Sequence, residues 1–130
     1  MLESMPFTPG RPLAEAKAEL FKAMAHPARI RVLELLAEQE RTIGELAEET
    51  GLELSHLSQQ VSVLRRAGIV GSRRVRNNVI CSLCDPQTAE LLAVARRILT
   101  ANLRQGQVLL KELDDVQDAV ALADVGRAEG

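Results

Sequence analysis

Apolar residues recur at helical spacing over most of this chain, and strand-like spacing is confined to one short region. Ile30, Val32, Leu33 and Leu36 form one stripe behind Pro27, whose fixed φ suits a first helical turn, so a helix is predicted from Pro27 to about Glu38. Another is predicted ahead of it, over Leu13 to Ala25. Thr42-Ile43-Gly44-Glu45 has the form of a capping box, which starts a short third helix that Gly51 ends. A fourth begins between Glu53 and Ser55 and stops at Gly68, a natural left-handed cap. Ile69 to Arg76 and Val79 to Leu83 then read as two strands, with Asn77-Asn78 as the tight turn between them. Asp85-Pro86 opens a last helix that runs past Leu113.

The predicted fold is therefore mainly α with a small β-hairpin. Its third and fourth helices, joined through ETGLEL, have the layout of a helix-turn-helix, and the hairpin behind them is placed as a wing. Residues 1–12 hold three prolines and no helical period, so they are expected to be a flexible leader. Residues 13–116 form the folded domain and residues 117–130 an acidic C-terminal tail.

Stepping the fourth helix at ~100° per residue sets Leu54, Leu57, Val61 and Leu64 in one narrow arc toward the core. Ser55, Gln59, Ser62 and Arg66 fall on the opposite side, flanked by His56, Ser58 and Gln60. The last helix spreads Leu91, Leu92, Ala95, Ile98 and Leu99 over an arc wider than one domain can cover. Pairing with a second copy, alongside Leu13, Leu20 and Phe21 of the first helix, is expected to bury that excess.

Charge sharpens the picture. The chain carries 18 acidic against 16 basic side chains, yet Leu54 to Cys84 contains no Asp or Glu and includes Arg65, Arg66, Arg73, Arg74 and Arg76. Six acids and one base lie between Glu112 and Gly130, so charge is segregated along the sequence. A helix face of Ser, Gln and His without carboxylates suits the major groove, where amides and hydroxyls meet base edges and an acid would be repelled by phosphate. Arg73, Arg74, Arg76 and Asn77 around the hairpin tip are expected to grip the strands beside it.

Composition excludes other classes. At 46% hydrophobic and 26% charged residues, 130 residues make one globular domain rather than a disordered chain. No signal peptide or membrane-length apolar run is present, which points to the cytoplasm. There is no nucleophile, base and orienter set and no glycine-rich phosphate loop, so an enzyme is not expected. With no Trp or Tyr and only Phe7 and Phe21 to stack on bases, a single-stranded nucleic-acid binder is disfavoured. The serious alternative to duplex binding is a winged helix that docks an acidic protein partner.

ELFKAMAHPARIRVLELL, TIGELAEETGLELSHLSQQVSVLRRAGIV and RRVRNNVICSLCDP, in that order, resemble the ArsR/SmtB family of winged helix-turn-helix transcriptional repressors over about residues 18–100. The resemblance implies a homodimer that binds operator DNA and is released by a signal. It assigns base reading to Ser55, His56, Ser58, Gln59 and Gln60, although many members have His where this chain has Gln60. The Cys-x-Cys pair of arsenite sensors is replaced by Thr42 and Gly44, and Ala89 to Leu113 lacks the Asp and His ligands of zinc sensors. Neither a metal site nor a cofactor is expected.

Cys81 and Cys84 are the remaining candidate for a signal, by thiol oxidation. In one extended strand their Cα atoms lie roughly 10 Å apart, beyond the ~7 Å that a disulfide spans. Only a chain that turns after Leu83 brings them within reach. Otherwise Cys81 is a small buried hydrophobe, and Cys84 the more reactive of the two.

Overall fold

A computed structural model of the chain describes residues 11–129, with side-chain surroundings defined for 12–123. The elements run α1 (Arg11–Met24), α2 (Pro27–Glu38), β1 (Arg41–Thr42), α3 (Ile43–Thr50), α4 (Leu54–Arg66), β2 (Val70–Val75), β3 (Asn78–Leu83) and α5 (Gln87–Glu129). Most of the expected leader, residues 1–10, falls outside the described residues. Its last two positions, Arg11 and Pro12, instead open α1, where proline's missing N–H costs no helical bond.

Local chemistry sets most of the boundaries. His26 caps α2, its Nδ1 accepting from the Ala28 amide at 3.0 Å, with Pro27 as first helical residue. Thr42 and Glu45 close the capping box of α3, each side chain accepting from the other's amide at 3.1 Å. Gly51 ends α3 at φ 74, in the left-handed region that glycine enters without a side-chain clash. Beyond α4 the Gly68 amide bonds to the Arg65 carbonyl and the Ile69 amide to that of Leu64, the paired closure of a Schellman motif, with Gly68 at φ 77.

The sheet has three strands in the order β1-β3-β2, one more than the hairpin read from the sequence. β1 pairs Arg41 with Cys81 and Thr42 with Ile80. β2 pairs with β3 from Val70↔Leu83 to Val75↔Asn78, which leaves Arg76 and Asn77 as the two turn residues. The turn is thus one residue earlier than expected. Arg76, rather than an asparagine, takes the positive φ, at 57.

Residues 11–90 and 91–129 belong to two compact units. In the first, α2, α3 and α4 pack on one another and on the sheet. Leu33, Leu46, Leu57, Leu64, Val32, Val61, Val70 and Cys81 fill its interior. Arg41, only 7% exposed, ties that interior together. It donates to the Leu35 carbonyl at the end of α2, to the Gln39 carbonyl at 3.3 Å, and pairs through Nε with Glu49 of α3 at 2.5 Å, without the alignment of a hydrogen bond. Carbonyls at a helix C-terminus carry partial negative charge, so a guanidinium is well placed there.

The second unit is the body of α5, whose first turn is capped where Asp85 Oδ1 accepts from the Gln87 amide at 2.9 Å. The helix continues through 117–129, so the acidic stretch is part of α5 rather than a tail beyond it. Among the described residues no helix is long and apolar enough to cross a membrane.

Candidate nucleic-acid interface

α4 presents the polar face that its period requires. Leu57, Val61 and Leu64 are buried, and Ser55, His56, Gln59 and Arg66 are exposed, with Ser58, Gln60 and Ser62 half-buried at the flanks. Leu54 departs from the expected arc: it is 57% exposed. Its angle is right but it is the first residue of the helix, and side chains lean toward the helix N-terminus, so it overhangs the last layer of the core.

That overhang forms one wall of a cleft of about 480 Å³ running from the start of α3 across α4 to the wing. Thr42, Leu54, Ser58, Arg65, Arg74 and Asn77 line it. Two arginines therefore line a slot beside the polar helix. Arg65, which the helical wheel did not place with the candidate base readers, is braced by donating to Ser72 Oγ of β2 at 3.1 Å. Arg74 and Arg76 make no ion pair with any described residue.

Arg73 behaves differently. It grips Glu40 with both terminal nitrogens, Nη2 to Oε1 at 3.2 Å and Nη1 to Oε2, which fastens β2 to the segment leading into β1. The hydrogen bonds and the charge of Arg73 hold the Glu40 carboxyl below its ordinary range and raise the guanidinium in turn. Both side chains stand in solvent, so the consequence is geometric: the sequence-predicted phosphate contact at Arg73 already has a carboxylate partner.

Comparison with known proteins bears on this architecture. The description "Bacterial regulatory protein, arsR family" matches residues 26–72, from the α2 cap to the start of β2. The HTH-type transcriptional regulator Rv0081 of Mycobacterium tuberculosis is 54% identical over 103 residues, covering 78% of this chain and 90% of that protein. The chain belongs to the ArsR family of bacterial regulatory proteins. The crystal structure of Rv0081 superposes with a TM-score of 0.67 at 57% identity over 72% of this chain and 95% of that one. A homodimeric winged helix-turn-helix DNA-binding domain from Mycobacterium bovis, solved by NMR, gives 0.69 at 26% identity over 78% and 94%. The biofilm growth-associated repressor of Xylella fastidiosa is 35% identical over 71% of this chain and 81% of its own length. This ArsR-family chain is accordingly a winged helix-turn-helix transcriptional regulator.

Other candidate residues of the ArsR-family chain are placed as follows. Cys81 is fully buried between Arg41 and Ser72 of the flanking strands, and burial pushes its thiol up, partly offset by the charge of Arg65. Cys84 is exposed just past β3, its amide bonded to the Ile69 carbonyl at 3.0 Å and its Sγ lying 3.5 Å from where a Cβ on Gly71 would stand. Both thiols are free. Among the described residues no cluster of three or more His, Cys, Asp or Glu is placed to hold a metal ion. On α1, Leu13, Leu20 and Phe21 are exposed; on α5, Ala95, Ile98 and Leu99 are exposed while Leu91 and Leu92 are half-buried.

Sequence reasoning missed Arg29 and Glu40. Arg29 on α2 donates to Gln60 Oε1 at 3.1 Å, and Glu40 holds Arg73. The partners are 31 and 33 residues apart, so no local spacing signals either contact.

Proposed function

We propose that two copies of this chain associate through the exposed apolar faces of α1 and α5 and bind an operator in duplex DNA as a repressor. In this reading α4 enters the major groove with Ser55, His56, Ser58, Gln59 and Gln60 toward the base edges. Ser62 and Arg66 follow along the same side. Arg74, Arg76 and Asn77 at the wing, with Arg65 in the cleft, meet phosphates and fix the register. Two-fold symmetry then sets half-sites about 34 Å apart, or a multiple of that.

One observation carries the reading. In a chain with more acids than bases, the segment from α4 to the wing tip, Leu54 to Asn77, contains no Asp or Glu, and two of its arginines line the cleft between helix and wing. A gel-shift assay with the DNA upstream of the chain's own gene provides the test. Binding to duplex that weakens steeply with salt, and that loses sequence preference in Gln59→Ala, supports the repressor. Indifference to duplex with retention on an acidic protein partner supports the interaction module instead.

A further inference from the structure

The three side chains Arg29, Gln60 and His56 form a connected set across α2 and α4. Arg29 Nη1 donates to Gln60 Oε1 at 3.1 Å, and Gln60 Nε2 stands 3.2 Å from His56 Nε2. A guanidinium has donors and no acceptor, so it fixes which way the Gln60 amide faces: oxygen toward α2, NH2 toward His56 and the open side of α4. The NH2 also has only donors. Paired with that NH2, His56 Nε2 acts as the acceptor, which places the hydrogen of the neutral imidazole on Nδ1.

Arg29 is a costly residue at this position. Its Nε is buried without a hydrogen-bond partner in the protein, which opposes stability, and an apolar side chain on α2 would avoid that penalty. What the guanidinium does at its other end accounts for its presence.

We propose that Arg29 is a positioning residue that sets the base preference of α4. By turning the Gln60 amide it makes both Gln60 and His56 donors toward the groove. A free glutamine pairs with adenine through one donor and one acceptor. With its oxygen held by Arg29, Gln60 instead favours edges that only accept, above all O6 and N7 of guanine. The inference rests on α4 reading duplex DNA.

Selection from randomised duplexes, followed by binding over a salt series, tests it with wild type, Arg29→Met, Gln60→Ala and the double variant. Wild type is expected to favour guanine at one position of each half-site by about fivefold, the worth of one hydrogen bond. Gln60→Ala flattens that position. Arg29→Met loses the guanine preference and moves the same position toward adenine, the partner of a free glutamine, without changing the salt slope, and the double variant matches Gln60→Ala alone.

A lower salt slope in Arg29→Met with the preference intact marks a direct phosphate contact and overturns the proposal, as does additivity in the double variant. Gln60→Glu keeps a partner for Arg29 but removes the donors, and is expected to shift that position toward cytosine, whose N4 donates. If circular dichroism shows Arg29→Met unfolded, this variant decides: retained guanine preference overturns the proposal. Guanine preference that survives Gln60→Ala overturns this inference alone, whereas a wild type that distinguishes no duplex from another overturns the operator reading and this inference together.

Discussion

Arg74 and Arg73 are neighbours on β2 with the same charge and similar exposure, and they should contribute differently to DNA binding. Arg74 faces the cleft without an ion-pair partner among the described residues, while Arg73 is held on both terminal nitrogens by Glu40. Each phosphate neutralised by a free cation adds about 0.9 to the slope of log affinity against log salt. In a dimer Arg74→Ala removes two such contacts, so the slope should fall by about 1.8; over the range from about 50 to 200 mM salt that is roughly a twelvefold difference. Arg73→Ala removes a cation whose charge is already matched by a carboxylate, and the slope should scarcely move. Glu40→Gln releases Arg73 and should steepen the slope by up to about 1.8.

Fluorescence anisotropy of a labelled operator duplex, titrated at five or so salt concentrations, measures all three. Arg73→Ala and Arg74→Ala lowering the slope equally would refute the claim that Glu40 withholds Arg73 from phosphate. An unchanged slope in Arg74→Ala would remove Arg74 from the interface. The sign of the pH dependence follows from Glu40: its carboxyl is lowered in the fold, so the pair persists through the neutral range and is lost only as pH falls through that lowered value. The contrast between the two arginines should therefore be the same at every neutral pH.

Three further outcomes are expected. Leu57→Ala, at a position with no exposed surface in the first turn of α4, should lower stability by about 2–5 kcal/mol in urea unfolding, and a loss under about 1 kcal/mol would mean that α4 does not anchor the core. A maleimide reagent applied to the native protein should modify Cys84 and leave Cys81 untouched until denaturant is added, as read by mass spectrometry; equal rates would contradict the burial of Cys81. Leu99→Glu, on the exposed apolar face of α5, should convert a dimer to monomer in size-exclusion chromatography with light scattering, and an unchanged dimer would place the contact elsewhere.

Features with a local chemical cause were legible in the sequence. The Pro27 start of α2, the Thr42-Glu45 capping box and the glycine caps at 51 and 68 each depend on residues within one helical turn of each other, and each appears where it was expected. Periodicity placed Leu57, Val61 and Leu64 correctly because they have core on every side, and misplaced Leu54 because a wheel has no helix end. β1 escaped notice for a different reason: two residues, Arg41 and Thr42, cannot display an alternation. The turn slipped by one position because asparagine is the better resident of positive φ, yet the pairing of Val75 with Asn78 assigns that conformation to Arg76. At the site, residue types on α4 were readable, whereas the Arg29 and Glu40 contacts arise only when distant segments meet.

Thr42 has a double membership that bears on how the molecule moves. Its backbone is laddered to Ile80 in β3, and its hydroxyl terminates α3 by accepting from the Glu45 amide. One residue is thus splice and stopper at once, with no slack between the sheet and the helix-turn-helix. Tilting the wing must drag the first turn of α3 with it or break the cap. In the proposed operator complex, a signal that loosens either end would disturb the wing and the helix-turn-helix together, instead of relaxing one while the other persists.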